Sequence, residues 1–279
     1  MINGKVWMIT GASRGLGAEI AKAALAAGEK VIATGRGRDG LNFSSDQDAL
    51  YPVEMDVTNE AQVAAGVRDG LSRFGRIDIL VNNAGFGMLG AIEETPGEDV
   101  ERIYRTNVFG VLNVIRAVLP TMRRQKAGHI INFSSLGGFR ASAGWGIYCS
   151  TKFAVEGITE ALHDELAPLG IHATVVEPGF FRTDFMDNRS LANTSQQLAD
   201  YAETAGKTRI FAAERNHQQP GDPKKLAQAL LQLANAGTPP LRLALGTDAL
   251  ARIAEKNAFV AQEIAEWRQL SESTDFMKS

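Results

Sequence analysis

Short apolar runs alternate along the chain with longer segments whose apolar positions recur at helical spacing. The apolar runs are rich in β-branched residues and alternate little with polar ones, which is typical of strands covered on both faces. Regular alternation of such strands with helices predicts a doubly wound parallel sheet of the α/β class. The longest predicted helices cover 97–125 and 145–166. The strand-like runs are KVWMIT, KVIATG, YPVEMDV, IDILVNNAG, GHIINFSS and HATVVEPG, with PPLRLALG as a candidate last strand.

Two regions depart from this alternation. Residues 180–220 are polar, with weak periodicity and aromatic residues at their start. Such a stretch is either a substrate lid or a surface insertion, and the sequence leaves both open. Residues 248–279 are predicted to form an amphipathic helical extension, whose apolar positions include Ile253, Phe259 and Trp267.

Composition narrows the classes of function. The chain has 279 residues, of which 44% are hydrophobic and 22% charged, enough for one large α/β domain or two small ones. A net charge of −3 disfavours nucleic-acid binding. No apolar run approaches the roughly 20 residues of a membrane span. Residues 1–9 do not resemble a signal peptide.

Cysteine and histidine usage points away from disulfides and metals. Cys149 is the single cysteine, so an intramolecular disulfide is excluded and a reducing compartment is favoured. The four histidines show no ligand spacing, so no metal site is expected. We therefore expect a cytoplasmic protein that acts on a small molecule and binds neither nucleic acid nor membrane.

A glycine-rich loop follows the first predicted strand and opens the first predicted helix. Gly11, Gly15 and Gly17 let the backbone turn tightly and approach a ligand. The helix N-terminus beyond them presents free N–H groups and a partial positive charge, which suit a dinucleotide pyrophosphate. A plain glycine-rich turn is the alternative, but the strand–loop–helix context favours the binding loop.

The end of the second predicted strand indicates which dinucleotide is bound. Enzymes that use NAD place an acidic residue there to bind the ribose 2′-hydroxyl. Here Arg36 stands at that place without a carboxylate, and Arg14 lies in the glycine loop. Two guanidiniums suit a 2′-phosphate, so we predict NADP(H) rather than NAD(H). The alternative is that both arginines are simply solvated.

Tyr148 and Lys152 are four residues apart in a predicted helix, so their side chains are expected on one face. An adjacent ammonium favours the phenolate and so lowers the ordinary tyrosine pKa of about 10. An isolated Tyr-x-x-x-Lys pair is more often an exposed surface feature. Its assignment therefore depends on the rest of the chain.

Ordered motifs across the chain resemble those of the short-chain dehydrogenases/reductases of the short, single-domain type. The resemblance implies one Rossmann-type domain over 1–279, in homodimers or homotetramers paired through helices near 100–125 and 147–167. It covers roughly residues 4–185 and rests on TGASRGLG (10–17), DV (56–57), NNAG (82–85), Asn107, SS (134–135), YCSTK (148–152) and PG followed by Thr183.

The resemblance implies a role for each motif residue. Tyr148 is expected to act as general acid in reduction or as base in oxidation. Ser135, chosen over Ser134 by its spacing to the tyrosine, is expected to orient and polarise the substrate carbonyl. Lys152 is expected to lower the tyrosine pKa and bind the nicotinamide ribose, while Asn107 holds a water in a proton relay. The expected cofactor-binding residues are Gly11, Ser13, Arg14, Gly15, Leu16, Gly17, Arg36, Asp56, Val57, Asn83, Ala84, Gly85, Tyr148, Lys152, Pro178, Gly179 and Thr183.

Apolar and aromatic residues near these motifs form the expected substrate wall. They favour a hydrophobic ketone, aldehyde or alcohol, steroid-like or retinoid-like. The C-terminal region is also similar to that of family members related to hydroxysteroid and retinol enzymes. Core packing is the alternative for several of these residues. The primary candidates are Phe86, Phe139, Trp145 and Phe180, together with Met88, Leu136, Phe181, Phe185 and Met186.

Two functions from different classes are compatible with this fold. The first is an NADP(H)-dependent oxidoreductase, because hydride transfer to a carbonyl develops an alkoxide that a positioned acid must protonate. The second is a catalytically silent, NADP(H)-binding regulatory or scaffold protein. Loss of Tyr148 or Lys152 would indicate the second. Both are present with Ser135 and Asn107, which favours the enzyme.

Overall fold

Seven parallel strands form one sheet in the computed structural model of the chain, which describes residues 4–43, 46 and 48–276. The sheet order is β3-β2-β1-β4-β6-β7-β9, which confirms the expected doubly wound, single-domain α/β fold. Its strands are β1 Val6–Thr10, β2 Lys30–Gly35, β3 Leu50–Glu54, β4 Ile79–Asn82, β6 Gly128–Phe133, β7 Ile171–Pro178 and β9 Arg242–Leu245. A second, two-stranded parallel sheet pairs β5 Gly87–Leu89 with β8 Leu191–Asn193.

Helices cover both faces of the large sheet. In β1, Met8 packs into one core and Trp7 and Ile9 into the other, and all three are fully buried. This burial on two sides explains why the strands lack polar alternation. One core includes α2, α4 and α6, and the other includes α1 and α8. The helices are α1 Gly15–Ala26, α2 Glu60–Phe74, α3 Gly97–Tyr104, α4 Gly110–Gln125, α5 Leu136–Phe139, α6 Gly146–Leu166, α7 Lys207–Arg215, α8 Pro223–Ala234 and α9 Thr247–Glu272.

The strand order reverses between β1 and β4, and this switch point determines where a ligand can bind. In open α/β sheets a crevice forms there, beyond the carboxyl ends of the strands. The loops that follow β1, β4, β6 and β7 all reach this edge. They carry the glycine loop, the Asn-Asn-Ala-Gly motif, the two serines and the Pro-Gly motif.

Several predicted boundaries differ from the observed ones. The predicted helix over 97–125 contains a π-helical turn at Arg105–Phe109, which separates α3 from α4. Three strands end before their predicted limits, at Glu54, Asn82 and Phe133, because the motif residues beyond them turn into loops at the carboxyl edge. The short elements α5, β5 and β8 have only three or four residues, too few to show a period.

The segment over 180–220 is folded and attached to the body. Besides β8 and α7, it contains short helical turns at Asp184–Met186, Ala199–Tyr201 and Ala202–Gly206. Glu94, 1% exposed, accepts hydrogen bonds from the Leu198 amide at 2.8 Å and from the Arg209 guanidinium. The segment is therefore held by a buried ion pair as well as by the β5–β8 pairing.

The C-terminal extension is one long helix, α9. Ala249 is fully buried near its start, whereas Phe259, Ile264 and Trp267 are each more than half exposed. Residues 277–279 of the predicted extension lie outside the described residues. Within the described part of the chain, no helix combines the length and the apolar character needed to cross a membrane.

Candidate active site

The glycine loop is clamped to the loop after β4. Thr10 Oγ1 accepts hydrogen bonds from the amides of Asn83 and Ala84, each at 3.0 Å. Asn83 Nδ2 in turn donates to the carbonyls of Thr10 and Gly11, at 2.9 and 3.1 Å. A Cβ atom at Gly17 would lie 2.4 Å from Gly11 O, so only glycine allows this approach. These contacts place the first turn of α1 beside the crevice.

The same loop fits a dinucleotide pyrophosphate. Gly15, the first residue of α1, has a φ of +57°, and a Cβ atom there would meet only Thr183, at 3.8 Å. The backbone over Gly15 thus faces open space. The preceding residue, Arg14, makes no side-chain hydrogen bond to the first turn, so the N–H groups of α1 remain available to an anion.

The far end of the crevice is where the adenosine half of a dinucleotide is expected. Arg36 is exposed, follows the last residue of β2 and lines the cleft, as do Asp56 and Val57. Arg14 also lines the cleft, but its Nη2 donates to the carbonyl of Arg189 at 2.8 Å. Of the two arginines, Arg36 is the one at the carboxyl end of β2, where the adenosine ribose is expected.

Four polar side chains converge where the crevice passes α6. Tyr148, Lys152 and Asn107 are 8%, 7% and 1% exposed. Lys152 Nζ lies 5.8 Å from the centre of the Tyr148 ring and donates to Phe133 O at 2.8 Å. Ser135 begins α5, where its hydroxyl accepts a hydrogen bond from the Gly137 amide at 3.1 Å.

Asn107 reaches this group from the π-helical turn. Its Nδ2 donates to Phe86 O at 2.9 Å and to Thr151 Oγ1 at 3.2 Å, while its Oδ1 accepts from the Phe86 amide at 3.1 Å. A Cβ atom at Gly85 would lie 3.0 Å from Asn107 Oδ1 and 3.8 Å from Lys152 Nζ. The Asn107 amide and the Lys152 ammonium thus both lie on the side of Gly85 where a Cβ atom would be, which the missing side chain leaves open. Single π-helical turns are frequent at functional sites.

Burial controls the proton affinities in this group. It raises the pKa of Tyr148 well above its ordinary value, against a hydrogen bond with Ser135 that lowers it. It lowers the pKa of Lys152 to about 8, against the charge of Glu156. It also raises the pKa of Cys149 to about 11, which suits a packing residue rather than a nucleophile. The ammonium of Lys152 is not among the causes of the pKa shift of Tyr148, so the expectation that it lowers the tyrosine pKa stays a prediction.

Aromatic rings surround the phenol on the substrate side. Trp145 and Phe185 lie 5.5 and 5.8 Å from the Tyr148 ring, centre to centre. Phe180 lies 6.1 Å from Phe211 of α7. Together with the nucleotide crevice, this space forms one cleft of 1180 Å³, large enough for a dinucleotide and a second molecule.

Most predicted site residues line this cleft, and four do not. Asn107, 1% exposed, lies beside Gly85 without lining the cleft itself. Gly17 instead packs behind the loop, as described above. Met88 is buried beneath Tyr148 and supports it. Phe139 does not line the cleft because α5 carries the chain one turn away from the carboxyl edge, towards α9. The predicted residues that line it are Gly11, Ser13, Arg14, Gly15, Leu16, Arg36, Asp56, Val57, Asn83, Ala84, Gly85, Phe86, Ser135, Leu136, Trp145, Tyr148, Lys152, Pro178, Gly179, Phe180, Phe181, Thr183, Phe185 and Met186.

Sequence reasoning missed the polar rim of the cleft and part of its floor. The floor gains Leu191 and Ala192 from β8. The rim includes Arg140, Lys207 and Arg252. These residues belong to no motif and come from four separate elements, so only the fold brings them together.

One histidine, His217, lies close to two carboxylates, although the spacing of the histidines along the sequence did not indicate a ligand cluster. His217 Nε2 is 3.2 Å from Asp187 Oδ1, and Asp184 is adjacent, with the ligating atoms of all three within 4.8 Å of one another. His217 and Asp184 are exposed. A surface ion pair accounts for this arrangement.

Sequence comparisons agree with this geometry. A family model described as short chain dehydrogenase matches residues 5–194. The oxidoreductase BOA17 of Botryotinia fuckeliana is 39% identical over 274 residues, which cover 96% of this chain and 98% of that protein. A 3-ketodihydrosphingosine reductase of Bacteroides thetaiotaomicron is 37% identical, covering 87% of this chain and 88% of its own.

Solved structures share the fold. A short-chain dehydrogenase from Streptomyces avermitilis superposes with a TM-score of 0.92 at 40% identity, covering 98% of this chain and all of that chain. A 3-ketoacyl-(acyl-carrier-protein) reductase from Brucella melitensis, complexed with NADH, has a TM-score of 0.73 at 29% identity, over 88% of this chain and 98% of its own. A serine dehydrogenase complexed with NADP+ has a TM-score of 0.74 at 28% identity, over 86% and 94%.

Proposed function

The chain belongs to the short-chain dehydrogenase family and is an oxidoreductase, and from this premise we propose that it transfers a hydride between NADP(H) and a hydrophobic carbonyl or secondary alcohol. The observation that carries the proposal is that Ser135, Tyr148 and Lys152 line one cleft together with the glycine loop, while Asn107 packs beside Gly85 next to them. The bound cofactor supplies or accepts the hydride.

The protein residues handle the proton and the developing charge. In reduction, the Tyr148 hydroxyl donates its proton to the alkoxide oxygen as that oxygen gains charge. The Ser135 hydroxyl donates a hydrogen bond to the same oxygen and fixes the carbonyl. The phenolate left on Tyr148 is stabilised by the Lys152 ammonium, which favours the charged form. Asn107 orders the neighbourhood of Lys152 and Gly85.

The preference for NADP(H) is supported by Arg36. It follows β2, where an NAD site has an acidic residue. A guanidinium binds a 2′-phosphate with charge-assisted hydrogen bonds. Relatives of the same fold include complexes with NADH and with NADP+, so the choice depends on this residue rather than on the family.

A hydrophobic substrate is supported by the rings around Tyr148. Trp145, Phe180 and Phe185 line the space that a carbonyl must enter to reach the phenol. Residues 180–220 contribute much of this lining, so we assign them as the substrate lid. The raised pKa of Tyr148 keeps the phenol protonated, as its role as the acid in reduction requires.

A homodimer through α4 and α6 is also proposed. Phe109, just before α4, and Phe153, on α6, are 53% and 43% exposed. Large apolar side chains exposed on two adjacent helices are typical of an association surface. The single, buried cysteine agrees with a cytoplasmic location, which we propose with it.

Oxidation of NADPH by the purified protein over a panel of hydrophobic ketones and aldehydes tests the function. We expect turnover with NADPH on part of the panel and weaker turnover with NADH. Tight NADPH binding without turnover on any compound would instead favour the silent, cofactor-binding alternative.

A further inference from the structure

Two buried carboxyl groups lie behind Lys152, outside the proposed chemistry. Glu156 follows Lys152 by one turn of α6 and is 4% exposed. Glu177, in β7, is 1% exposed and precedes the Pro-Gly motif that lines the cleft. Burying a carboxylate is costly unless it is paired or neutralised, so this arrangement needs a physical account.

One guanidinium serves the whole cluster. Arg242, in the neighbouring strand β9, places Nη2 3.2 Å from Glu156 Oε2 and Nε 3.3 Å from Glu177 Oε1. The same Nη2 lies 2.5 Å from Oε1 of Glu160, which is exposed. A single positive charge is therefore shared among three carboxyls and cannot neutralise both buried ones.

Burial and mutual repulsion disfavour ionisation of both carboxyls at once. Burial raises the pKa of Glu156, against the charge of Arg242. Burial, and then the charge of Glu156, raise the pKa of Glu177 to about 7. Carboxyls this closely coupled titrate as a pair. Near neutral pH the pair holds one proton and one negative charge.

Close packing holds the negative charge of the Glu156–Glu177 pair next to the turn of α6 that carries Tyr148 and Lys152. Ser134 Oγ donates to Lys152 O at 3.4 Å. A Cβ atom at Gly138, in α5, would lie 2.1 Å from Ser134 Oγ and 3.1 Å from Glu156 Oε1. The glycine therefore lets α5 close over the pair, and any larger residue would displace it.

The charge of Glu156 acts on the Lys152 ammonium. Burial alone lowers the pKa of Lys152, and Glu156 is the charge that opposes this. The pair consists of Glu156 in α6 and Glu177 in β7. The charged and titratable groups that face it are Lys152 and Glu160 from α6 and Arg242 from β9. Without Glu156, Lys152 would lose its proton at a lower pH.

We propose that Glu156 and Glu177 are positioning residues that share one proton and keep Lys152 charged during the proposed hydride transfer. Glu156 carries the negative charge, because it lies one helical turn from Lys152 and 3.2 Å from Arg242 Nη2, and Glu177 carries the proton. The kinetic consequence rests on the proposed function, whereas the shared proton itself does not depend on turnover.

The pH profile of NADPH-dependent kcat/KM tests the kinetic consequence. In Glu156→Gln the loss of activity at high pH should begin at lower pH, so that activity falls about tenfold at pH 8 but stays within about twofold at pH 6, relative to wild type. Glu160→Gln removes an exposed carboxylate from the same arginine and should keep the wild-type profile. Equal loss at every pH, or the same shift in both variants, would contradict the proposal.

Infrared difference spectra during a pH titration test the shared proton without turnover. Wild type should show the band of a protonated carboxyl near neutral pH, and Glu177→Gln should remove it. The unsubstituted protein provides this readout even if a variant folds poorly. Wild type without such a band would overturn the shared proton. A band that persists in a protein with no turnover would support the pair and count against the proposed function alone.

Discussion

At Tyr148 the motif predicts the identity of the acid but not its resting state. The spacing to Lys152 indicates that the two side chains share a helix face, and the structure places them so. Burial, which a sequence does not display, raises the phenol pKa and lowers that of Lys152. The resting pair is thus a protonated phenol beside a lysine that depends on Glu156 for its charge.

Arg36 provides a direct test of cofactor choice. Arg36→Ala removes a charge-assisted hydrogen bond to the 2′-phosphate, worth roughly 1.5–3 kcal/mol, so NADPH binding should weaken by about tenfold to a hundredfold. NADH binding should stay within about twofold. Fluorescence titration of both dinucleotides measures this. Arg38→Ala changes an exposed neighbour that does not line the cleft and is the matched control. Equal weakening of both dinucleotides would contradict the assignment.

At the scale of single residues, the sequence predicts the motif residues of the site, but it predicts only some of the residues that line the pocket. Thr10 and Asn83 belong to ordered motifs, and the structure joins them through two hydrogen bonds. Phe139 and Met88 were assigned to the substrate wall from residue type alone. The direction of a side chain depends on the turn of α5 and on the β5 register, which no local pattern specifies.

At the level of elements, the buried strands and the long helices could be predicted because their apolar spacing is strong. The ends of the strands could be predicted less well. Motif residues such as Asp56 and Ser135 come soon after an apolar strand in the sequence but lie in polar loops. The π-helical turn at Arg105–Phe109 has no signature in the apolar spacing. The β5–β8 pairing joins segments about a hundred residues apart, so it depends on the tertiary fold.

The buried pair of Glu94 and Arg209 should hold the 180–220 segment. Arg209→Gln leaves Glu94 buried without its counter-charge, which should lower the free energy of unfolding by about 3 kcal/mol. Urea denaturation measures this. Arg215→Gln, at the exposed end of the same helix, should change it by less than about 0.5 kcal/mol. Equal effects of the two substitutions would show that the buried pair does not anchor the segment.

For the whole molecule, the alternation of strands and helices along the sequence predicts the fold. The switch point of the sheet then predicts where the site lies. Parallel strands share one carboxyl edge, so loops after β1, β4, β6 and β7 had to meet there. The rim of Arg140, Lys207 and Arg252 could not be predicted, because it is assembled from α5, α7 and α9 and their flanks.

The proposed dimer can be tested through its exposed aromatic residues. Phe153→Glu places a charge on the α6 face and should convert the dimer to monomer at micromolar concentration, because an interfacial charge without a partner is costly to bury. Light scattering after size exclusion measures the mass. Phe259→Glu, on the exposed face of α9, should leave the dimer intact. Dissociation by Phe259→Glu alone would place the interface on α9 instead.

The most direct test of the central claim compares kcat/KM of wild type and Tyr148→Phe, with NADPH and the best ketone found in the panel. Loss of a positioned general acid should lower kcat/KM by about a hundredfold to ten-thousandfold. The NADPH dissociation constant should stay within about threefold, since the ring remains in place. Activity within tenfold of wild type would show that another group protonates the alkoxide, and would contradict the mechanism.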